Sequence, residues 1–257
     1  MDPRDTAVLL PQPSGNHVVD GFFDCAEESA HYAFSVQLLL TQYAAVVPWR
    51  DEGVAELGSG DARAIAHVVR ALPGLTVHGT DISPTSVHRA RRTIAGVGVA
   101  DRYTVELGDF FAWAASPDGR RTTTVIANPP YIPAPDDDIL MPELWGGWYG
   151  NDLLLRLLKA GFDHLLVALP SYSDPAATLA AAGELGYRVA NFLAMGLEFG
   201  AYSREPKVAE HIARLTAEGH GWAGEDSYVV AVALLTRSPQ VRRDRKTELL
   251  RALQLPA

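Results

Sequence analysis

The chain has 257 residues, of which 47% are hydrophobic and 21% are charged, so it can bury a core and is not a wholly disordered polypeptide. Its 22 basic and 31 acidic residues give a formal net charge of −9. A protein that grips a nucleic acid by its phosphates usually carries the opposite charge, so we do not expect a nucleic-acid partner.

The single cysteine, Cys25, excludes an intrachain disulfide and a thiolate metal cluster. The eight histidines show no paired spacing for zinc, so no metal ion is expected. The N-terminus lacks the apolar core of a signal peptide, and apolar runs such as residues 229–235 are too short to cross a bilayer. We therefore expect a soluble, cytoplasmic protein without a membrane partner. The oligomeric state stays open.

After an irregular start, apolar positions at helical spacing predict a helix over residues 29–47. Strands and helices then alternate. The predicted strands cover residues 53–57, 76–81, 103–107, 123–127, 164–169, 187–194 and 227–236. The predicted helices cover residues 61–72, 84–95, 151–160, 175–185 and 206–218. This alternation, with almost continuously apolar strands, predicts one doubly wound α/β domain whose parallel sheet carries helices on both faces.

This order of elements predicts that the chain is organised in three parts. Residues 1–48 are expected to form an N-terminal helical cover over the active site. Residues 49–237 form the α/β domain, with a lid-like insertion at 196–226 that emerges at the carboxyl edge of the sheet. Residues 238–257 form a basic tail.

The first chemical motif, Glu-Leu-Gly-Ser-Gly-Asp-Ala at residues 56–62, lies where the first strand turns into a helix. Gly58 and Gly60 allow a tight turn and let a ligand touch the backbone, while the helix that follows presents free N–H groups. Asp81 ends the next strand, where a carboxylate is able to accept hydrogen bonds from both hydroxyls of a ribose. Arg63 stands where a dinucleotide fingerprint needs glycine. The pattern therefore predicts a nucleoside ligand of another kind.

The second motif, Asn128-Pro129-Pro130-Tyr131, follows the fourth strand. The prolines fix the backbone, so the Asn128 side-chain oxygen and the Pro129 carbonyl can face outward as a pair of acceptors. A planar –NH₂ group offers two matching donors, and Tyr131 offers a flat face for stacking. The motif predicts orientation and polarisation of an amine or amide nitrogen without a general base.

The first motif resembles motif I of the class I S-adenosylmethionine-dependent methyltransferases. The second resembles motif IV of the enzymes of that class that methylate adenine N6, cytosine N4 and glutamine N5. Residues 128–133, with the glycine-rich stretch at 144–154, are similar to the HemK-type glutamine N5-methyltransferases over about residues 50–170. The resemblance implies a Rossmann-like seven-stranded methyltransferase sheet, with strands 1–6 parallel and strand 7 antiparallel, and S-adenosyl-L-methionine as the cofactor.

The resemblance also implies site residues. The expected cofactor-binding residues are Glu56, Gly58, Ser59, Gly60, Asp81, Ile82, Asp109, Phe110 and Asn128. The expected catalytic residues are Asn128, Pro129 and Tyr131. Aromatic and polar positions at the same edge of the sheet complete a predicted substrate site of Phe22, Tyr32, Pro130, Trp145, Trp148, Tyr149, Tyr202 and Arg204.

Several kinds of methyl acceptor are compatible with these motifs. The aromatic edge and the acidic surface favour N-methylation of a small molecule, such as a specialised metabolite. Protein glutamine methylation is the alternative, although about 48 residues before the first strand are too few for the helical N-terminal domain of the HemK family. Nucleic-acid amino-methylation and a non-catalytic cofactor-binding domain are further alternatives.

Overall fold

The computed structural model describes residues 25–254. The strands are β1 (Val54–Leu57), β2 (Val77–Asp81), β3 (Tyr103–Leu107), β4 (Thr124–Ala127), β5 (His164–Pro170), β6 (Arg188–Glu198) and β7 (Ser227–Thr236). The α-helices are α1 (Ala26–Gln42), α2 (Trp49–Glu52), α3 (Arg63–Ala71), α4 (Pro84–Val97), α5 (Phe110–Ala114), α6 (Asp152–Lys159), α7 (Pro175–Glu184), α8 (Pro206–Glu218) and α9 (Lys246–Leu253). Phe22, predicted to bind substrate, lies outside the described residues.

The strands form one sheet in the order β3-β2-β1-β4-β5-β7-β6. Strands β1 to β5 pair in parallel, and β7 is antiparallel to both of its neighbours, β5 and β6. The predicted seven-stranded sheet, with only the last strand reversed, is therefore confirmed. Chain order reverses between β1 and β4, and in open α/β sheets the ligand crevice lies at the carboxyl ends of the strands at this switch.

Helices cover both faces of the sheet. Apolar side chains of α1, α3 and α4 pack together with Val54 and Ile126 on one face. Side chains of α6, α7 and α9 pack with Ala55 and Val125 on the other face. Because successive residues of a strand point to opposite faces, a strand buried on both sides is apolar at every position. All four residues of β4 are buried, and after Thr124 the strand continues with the apolar residues Val125, Ile126 and Ala127.

Helix α1 begins earlier than the apolar spacing predicts. It starts at Ala26 rather than at residue 29, and it ends at Gln42 rather than at residue 47. The extra first turn contains Glu28, which is buried although glutamate is rarely buried without a partner. The helix was predicted from the spacing of its apolar residues. A buried acidic residue in the first turn does not contribute to that pattern, so the predicted helix begins too late.

The connection between β6 and β7 also differs from its predicted limits. Strand β6 continues to Glu198, which pairs with Ser227, so the connection covers residues 199–226. Its helix, α8, packs Val208 and Ile212 against Ile132 and Tyr172. The insertion therefore rests on the segment that follows β4, and its part as a lid stays a prediction.

The segment after β7 contains α9, whose Leu249 and Leu253 are buried in the core beneath the sheet. Within the described residues, no helix combines the length and the apolar composition that a membrane span requires. No group of three or more metal-binding side chains is found in the same part of the chain.

Candidate active site

A cavity of about 640 Å³ lies at the carboxyl ends of β1, β2 and β4. Its wall includes the glycine-rich loop after β1, Asp81 at the end of β2, and the proline-rich segment after β4. Helix α1 contributes Tyr32. The two sequence motifs, about 70 positions apart in the chain, therefore share one cavity because their parallel strands are neighbours in the sheet.

The glycine-rich loop uses left-handed backbone conformations. Gly58 has a φ of +72° and Gly60 a φ of +53°, and a Cβ atom at either position would meet no neighbouring atom within 4 Å. Glycine adopts this backbone conformation without strain, and the absence of a side chain leaves both positions open to a ligand. Ala62 also has a positive φ, of 60°, at the start of α3, which costs an alanine about 1 kcal/mol.

Asp81 ties this loop to the second strand. Its Oδ2 accepts a hydrogen bond from the Gly60 N–H (2.9 Å), and its Oδ1 accepts one from the Ser83 N–H (2.9 Å). Burial raises the pKa of Asp81, while these two backbone hydrogen bonds lower it. Each carboxylate oxygen has a second lone pair, so Asp81 can still accept hydrogen bonds from a bound ligand.

Glu56 is buried beneath the loop, and its carboxyl group accepts a hydrogen bond from the Tyr103 hydroxyl. Burial raises the pKa of Glu56 to about 8, the Tyr103 hydrogen bond opposes the shift, and the charges of Asp81 and Asp61 add to it. The folded protein therefore holds a proton on Glu56 at pH values where the unfolded chain has released it.

We expect Glu56→Gln to flatten the pH dependence of stability. The unfolded chain loses the Glu56 proton near pH 4.5 and the folded chain near pH 8, so raising the pH through this window favours unfolding in the wild type. The free energy of urea unfolding, measured between about pH 5 and about pH 8, should fall less steeply in the variant. Glu210→Gln, an exchange at an exposed glutamate, should keep the wild-type slope. If the free energy of unfolding fell equally steeply with pH in the wild type and in Glu56→Gln, the raised pKa of Glu56 would be contradicted.

The wall beyond Asp81 is partly apolar. Ile82 lines the cavity with 75% of its surface exposed, which is unusual for an isoleucine and leaves it free to contact a ligand. Phe110 also lines the cavity, but it is buried and packs on Phe162. Asp109 caps α5 by accepting a hydrogen bond from the Ala112 N–H (2.8 Å). The predicted adenine contacts of Asp109 and Phe110 stay predictions.

Asn128 stands at the end of β4 with its two amide atoms in different surroundings. Its Nδ2 donates to Glu28 Oε1 at 2.7 Å. Its Oδ1 is buried and has no hydrogen-bond partner among the described residues. Glu28 also accepts a hydrogen bond from the Tyr228 hydroxyl (3.0 Å), and the Tyr131 side chain faces the same carboxyl group. A buried acceptor without a partner is costly, so Oδ1 is a position where an N–H donor would bind.

The glycine-rich stretch at residues 146–150 packs closely against the backbone of Tyr131. A Cβ atom on Gly146 would lie 2.7 Å from the Tyr131 Cα. On Gly150, which has a φ of +75°, it would collide with the Tyr131 carbonyl oxygen and lie 2.8 Å from the Ser173 Cβ. Only glycine permits this close approach of two backbone segments.

We expect Gly150→Ala to destabilise the protein by about 2 kcal/mol more than Gly161→Ala. Both glycines have a positive φ, but a Cβ atom on Gly161 would meet nothing within 4 Å, so the control carries the backbone strain without the collision. Urea unfolding of the two variants measures the difference. Equal destabilisation would show that Gly150 serves only the backbone conformation.

The predicted substrate residues divide between the cavity and its surroundings. Tyr32 and Pro130 line the cavity. Trp145 instead donates from Nε1 to the Ala134 carbonyl (3.1 Å) and so braces the segment after β4. Trp148 packs edge-on against His211 of α8, and Tyr149 contacts His220.

Tyr202 and Arg204 lie in the insertion. Arg204 pairs with Asp226 (3.5 Å) beside a second cavity, of about 540 Å³, between α8 and residues 223–226. None of the described residues 199–226 lines the cavity that contains Asn128. A contact of Tyr202 or Arg204 with substrate stays a prediction.

The cavity fits the cofactor that the motifs imply, S-adenosyl-L-methionine. Buried polar atoms of cavity residues lack hydrogen-bond partners among the described residues, including Tyr32 Oη, Ser59 Oγ and Thr80 Oγ1. Together with the Asp81 carboxylate they offer polar groups for a nucleoside, and Ile82 offers an apolar surface for its base. The nine residues predicted to bind the cofactor all line this cavity, and their contacts with it stay predictions: Glu56, Gly58, Ser59, Gly60, Asp81, Ile82, Asp109, Phe110 and Asn128.

The fold and the cavity define a protein with the architecture of the Rossmann-like methyltransferases. A Pyrococcus horikoshii protein proposed to be an RNA methyltransferase matches it with a TM-score of 0.53 at 12% identity, over 79% of this chain and 81% of that one. At this identity the likeness is one of fold alone. No family model matches the sequence.

Sequence relatives are more specific. A release factor glutamine methyltransferase from Gloeobacter violaceus is 27% identical over 168 residues, which cover 62% of this chain and 51% of that protein. A ribosomal protein uL3 glutamine methyltransferase from Bradyrhizobium diazoefficiens is 32% identical over 126 residues, 46% of this chain and 39% of the relative. The chain thus spans about half the length, or less, of these relatives. They confirm the resemblance to HemK-type glutamine methyltransferases.

Glu28 and Tyr228, which meet behind Asn128, are among the residues that the sequence analysis did not place at the site. The available signal for Glu28 was its place one turn before Tyr32, on the same face of the helix as the apolar residues Val36 and Leu39. An acid on a buried face is informative because it needs a partner. Tyr228 had no comparable signal, since an aromatic residue in a buried strand is ordinary.

Proposed function

We propose that the chain is an S-adenosylmethionine-dependent methyltransferase that acts on the side-chain amide nitrogen of a glutamine in a protein. The observation that carries the proposal is the buried Asn128 Oδ1, which has no partner among the described residues and belongs to a residue lining the cavity. The similarity to glutamine methyltransferases supports the amide acceptor. It favours a protein substrate over the small molecule that the aromatic edge predicts.

The residues of this chain act on the acceptor nitrogen by orientation. When bound, S-adenosylmethionine supplies an electrophilic methyl group. Asn128 Oδ1 accepts one N–H of the acceptor –NH₂, and we assign the Pro129 carbonyl to the other. Holding both hydrogens directs the nitrogen lone pair toward the methyl carbon, and Tyr131 provides the stacking face. The neutral acceptors stabilise the positive charge that develops on nitrogen. The nitrogen then releases one proton to water, and the cofactor would leave as S-adenosylhomocysteine.

The test is transfer of a labelled methyl group. The full chain is incubated with methyl-labelled S-adenosylmethionine and three acceptors: a purified release factor, purified ribosomal protein uL3, and the small-molecule fraction of an extract of the source organism. We expect label on a glutamine of a protein, located by mass spectrometry. Label only in the small-molecule fraction would overturn the protein substrate and favour the small-molecule alternative. Cofactor binding without any transfer would favour a non-catalytic domain.

A further inference from the structure

Glu28 has a buried carboxyl group directly behind the proposed acceptor-binding residue. Its carboxylate accepts hydrogen bonds from Asn128 Nδ2 (2.7 Å) and from the Tyr228 hydroxyl (3.0 Å). Glu28 itself is 2% exposed and does not line the cavity, so it reaches the reaction only through Asn128. Three elements meet at this carboxyl group: α1, the end of β4 and the start of β7.

The partner chemistry decides which way the Asn128 amide points. An asparagine amide has one accepting and one donating end, and the two orientations have nearly the same shape. A carboxylate only accepts, so the –NH₂ end of Asn128 must face Glu28. The opposite end, Oδ1, is then left to face an incoming N–H. Without Glu28, the reversed amide would present a donor to the donor groups of the substrate.

We propose that Glu28 is a positioning residue for methyl transfer, which holds the Asn128 amide in the one orientation that can accept an N–H from the substrate. This inference rests on the proposed function. The hydrogen bond from Nδ2 to Glu28 Oε1 adds to the effect, because it polarises the amide and strengthens Oδ1 as an acceptor. Tyr228 holds the second carboxylate oxygen and thereby fixes the plane of the carboxyl group.

The first test is a double-mutant cycle of Glu28→Ala and Asn128→Ala, measured on kcat and KM for the methyl acceptor. Glu28→Ala alone should lower kcat by about 10- to 100-fold, the usual cost of losing a group that orients a functional residue. In the Asn128→Ala background, where no amide remains to be oriented, it should change kcat by less than about twofold. Glu27→Ala is the control, because it makes the same truncation at the adjacent, half-buried position.

Equal effects of Glu28→Ala in the two backgrounds would overturn the proposal and leave Glu28 a structural residue. Glu28→Gln provides a variant of the same size that keeps one acceptor oxygen and replaces the other with an –NH₂ donor, so it should fall between wild type and Glu28→Ala. If Glu28→Ala does not fold, the cycle is run with Glu28→Gln. Tyr228→Phe, which retains the Asn128 contact, should lower kcat less than Glu28→Ala does.

A second measurement does not depend on activity. The chain has four asparagines, so selective ¹⁵N labelling gives few side-chain amide signals, and Asn128→Ala identifies the one of interest. We expect the Asn128 –NH₂ hydrogens to exchange with solvent at least about tenfold faster in Glu28→Ala than in wild type. Unchanged exchange would overturn the inference even if the methyl acceptor were different. The hydrogen-exchange measurement does not require that the protein transfer a methyl group. A failure of the proposed function can therefore be distinguished from a failure of the inference about Glu28.

Discussion

Asn128→Ala is expected to lower kcat for methyl transfer by about 100- to 1000-fold, the range seen when one preorganised polar group is removed from a reacting centre. The variant loses Oδ1, the buried acceptor without a partner among the described residues, and leaves the glycine-rich loop intact. Cofactor binding should therefore weaken far less than turnover. Steady-state kinetics with the identified acceptor, together with calorimetric titration of S-adenosylmethionine, separate the two effects.

The control for this prediction is Asn191→Ala. Asn191 is a half-buried asparagine on β6 whose Nδ2 donates to Gln42 Oε1 (3.3 Å), far along the sheet from β4. It should retain wild-type kcat. If Asn128→Ala retained wild-type turnover while binding cofactor, methyl transfer would not use the amide acceptor, and the arrangement of Glu28, Asn128 and Tyr131 would need another explanation.

Asp81→Ala is expected to weaken S-adenosylmethionine binding by about 100-fold. Hydrogen bonds to a charged group contribute about 1.5–3 kcal/mol each, so two predicted ribose contacts at the lower end of this range, about 3 kcal/mol together, account for a factor of roughly 100. The variant also loses the hydrogen bonds from the Gly60 and Ser83 N–H groups, which orient the loop before the ligand arrives. Calorimetric titration with S-adenosylhomocysteine measures the dissociation constant without turnover.

Asp81→Asn tests the contribution of the carboxylate charge to cofactor binding, because asparagine has nearly the same shape as aspartate without the charge. It keeps one side-chain acceptor in place, and we expect its dissociation constant to lie between those of wild type and Asp81→Ala. Asp101→Ala, an exchange at an exposed position after α4, should bind as the wild type does. Thermal unfolding of each variant without ligand shows whether the fold is retained. Wild-type affinity in Asp81→Ala would remove this carboxylate from the cofactor site.

Both large effects fall on residues whose importance was visible in the sequence, and the reason is topological. Gly58 and Asn128 directly follow a strand and Asp81 is the last residue of one, and parallel strands bring their carboxyl ends to one edge. The position of each residue relative to its own strand therefore placed it in the site. The limits of β6 and of the insertion were less predictable, because pairing with β7 extends β6 to Glu198 through four residues of which only Leu197 is buried.

The lining of the predicted substrate site was predictable only in part. Tyr32 and Pro130 line the cavity, while Trp145, Trp148 and Arg204 make contacts outside it. Aromatic residues at one edge of a sheet occur both in the walls of ligand sites and in the packing between loops, so their presence in the sequence does not distinguish the two. The difference depends on side-chain direction, which in loops is set by contacts distant in sequence.

Sequence patterns alone were enough to predict the doubly wound sheet, the glycine-rich loop with Asp81, and the Asn128–Tyr131 segment that follows β4. These features are local, because each depends on a strand and the few residues after it. Only the tertiary structure showed that Glu28 and Tyr228, 200 positions apart in the chain, meet behind Asn128 and share one carboxyl group. Such a contact requires α1 to pack across the sheet onto β6 and β7, and no local pattern of residues encodes that packing.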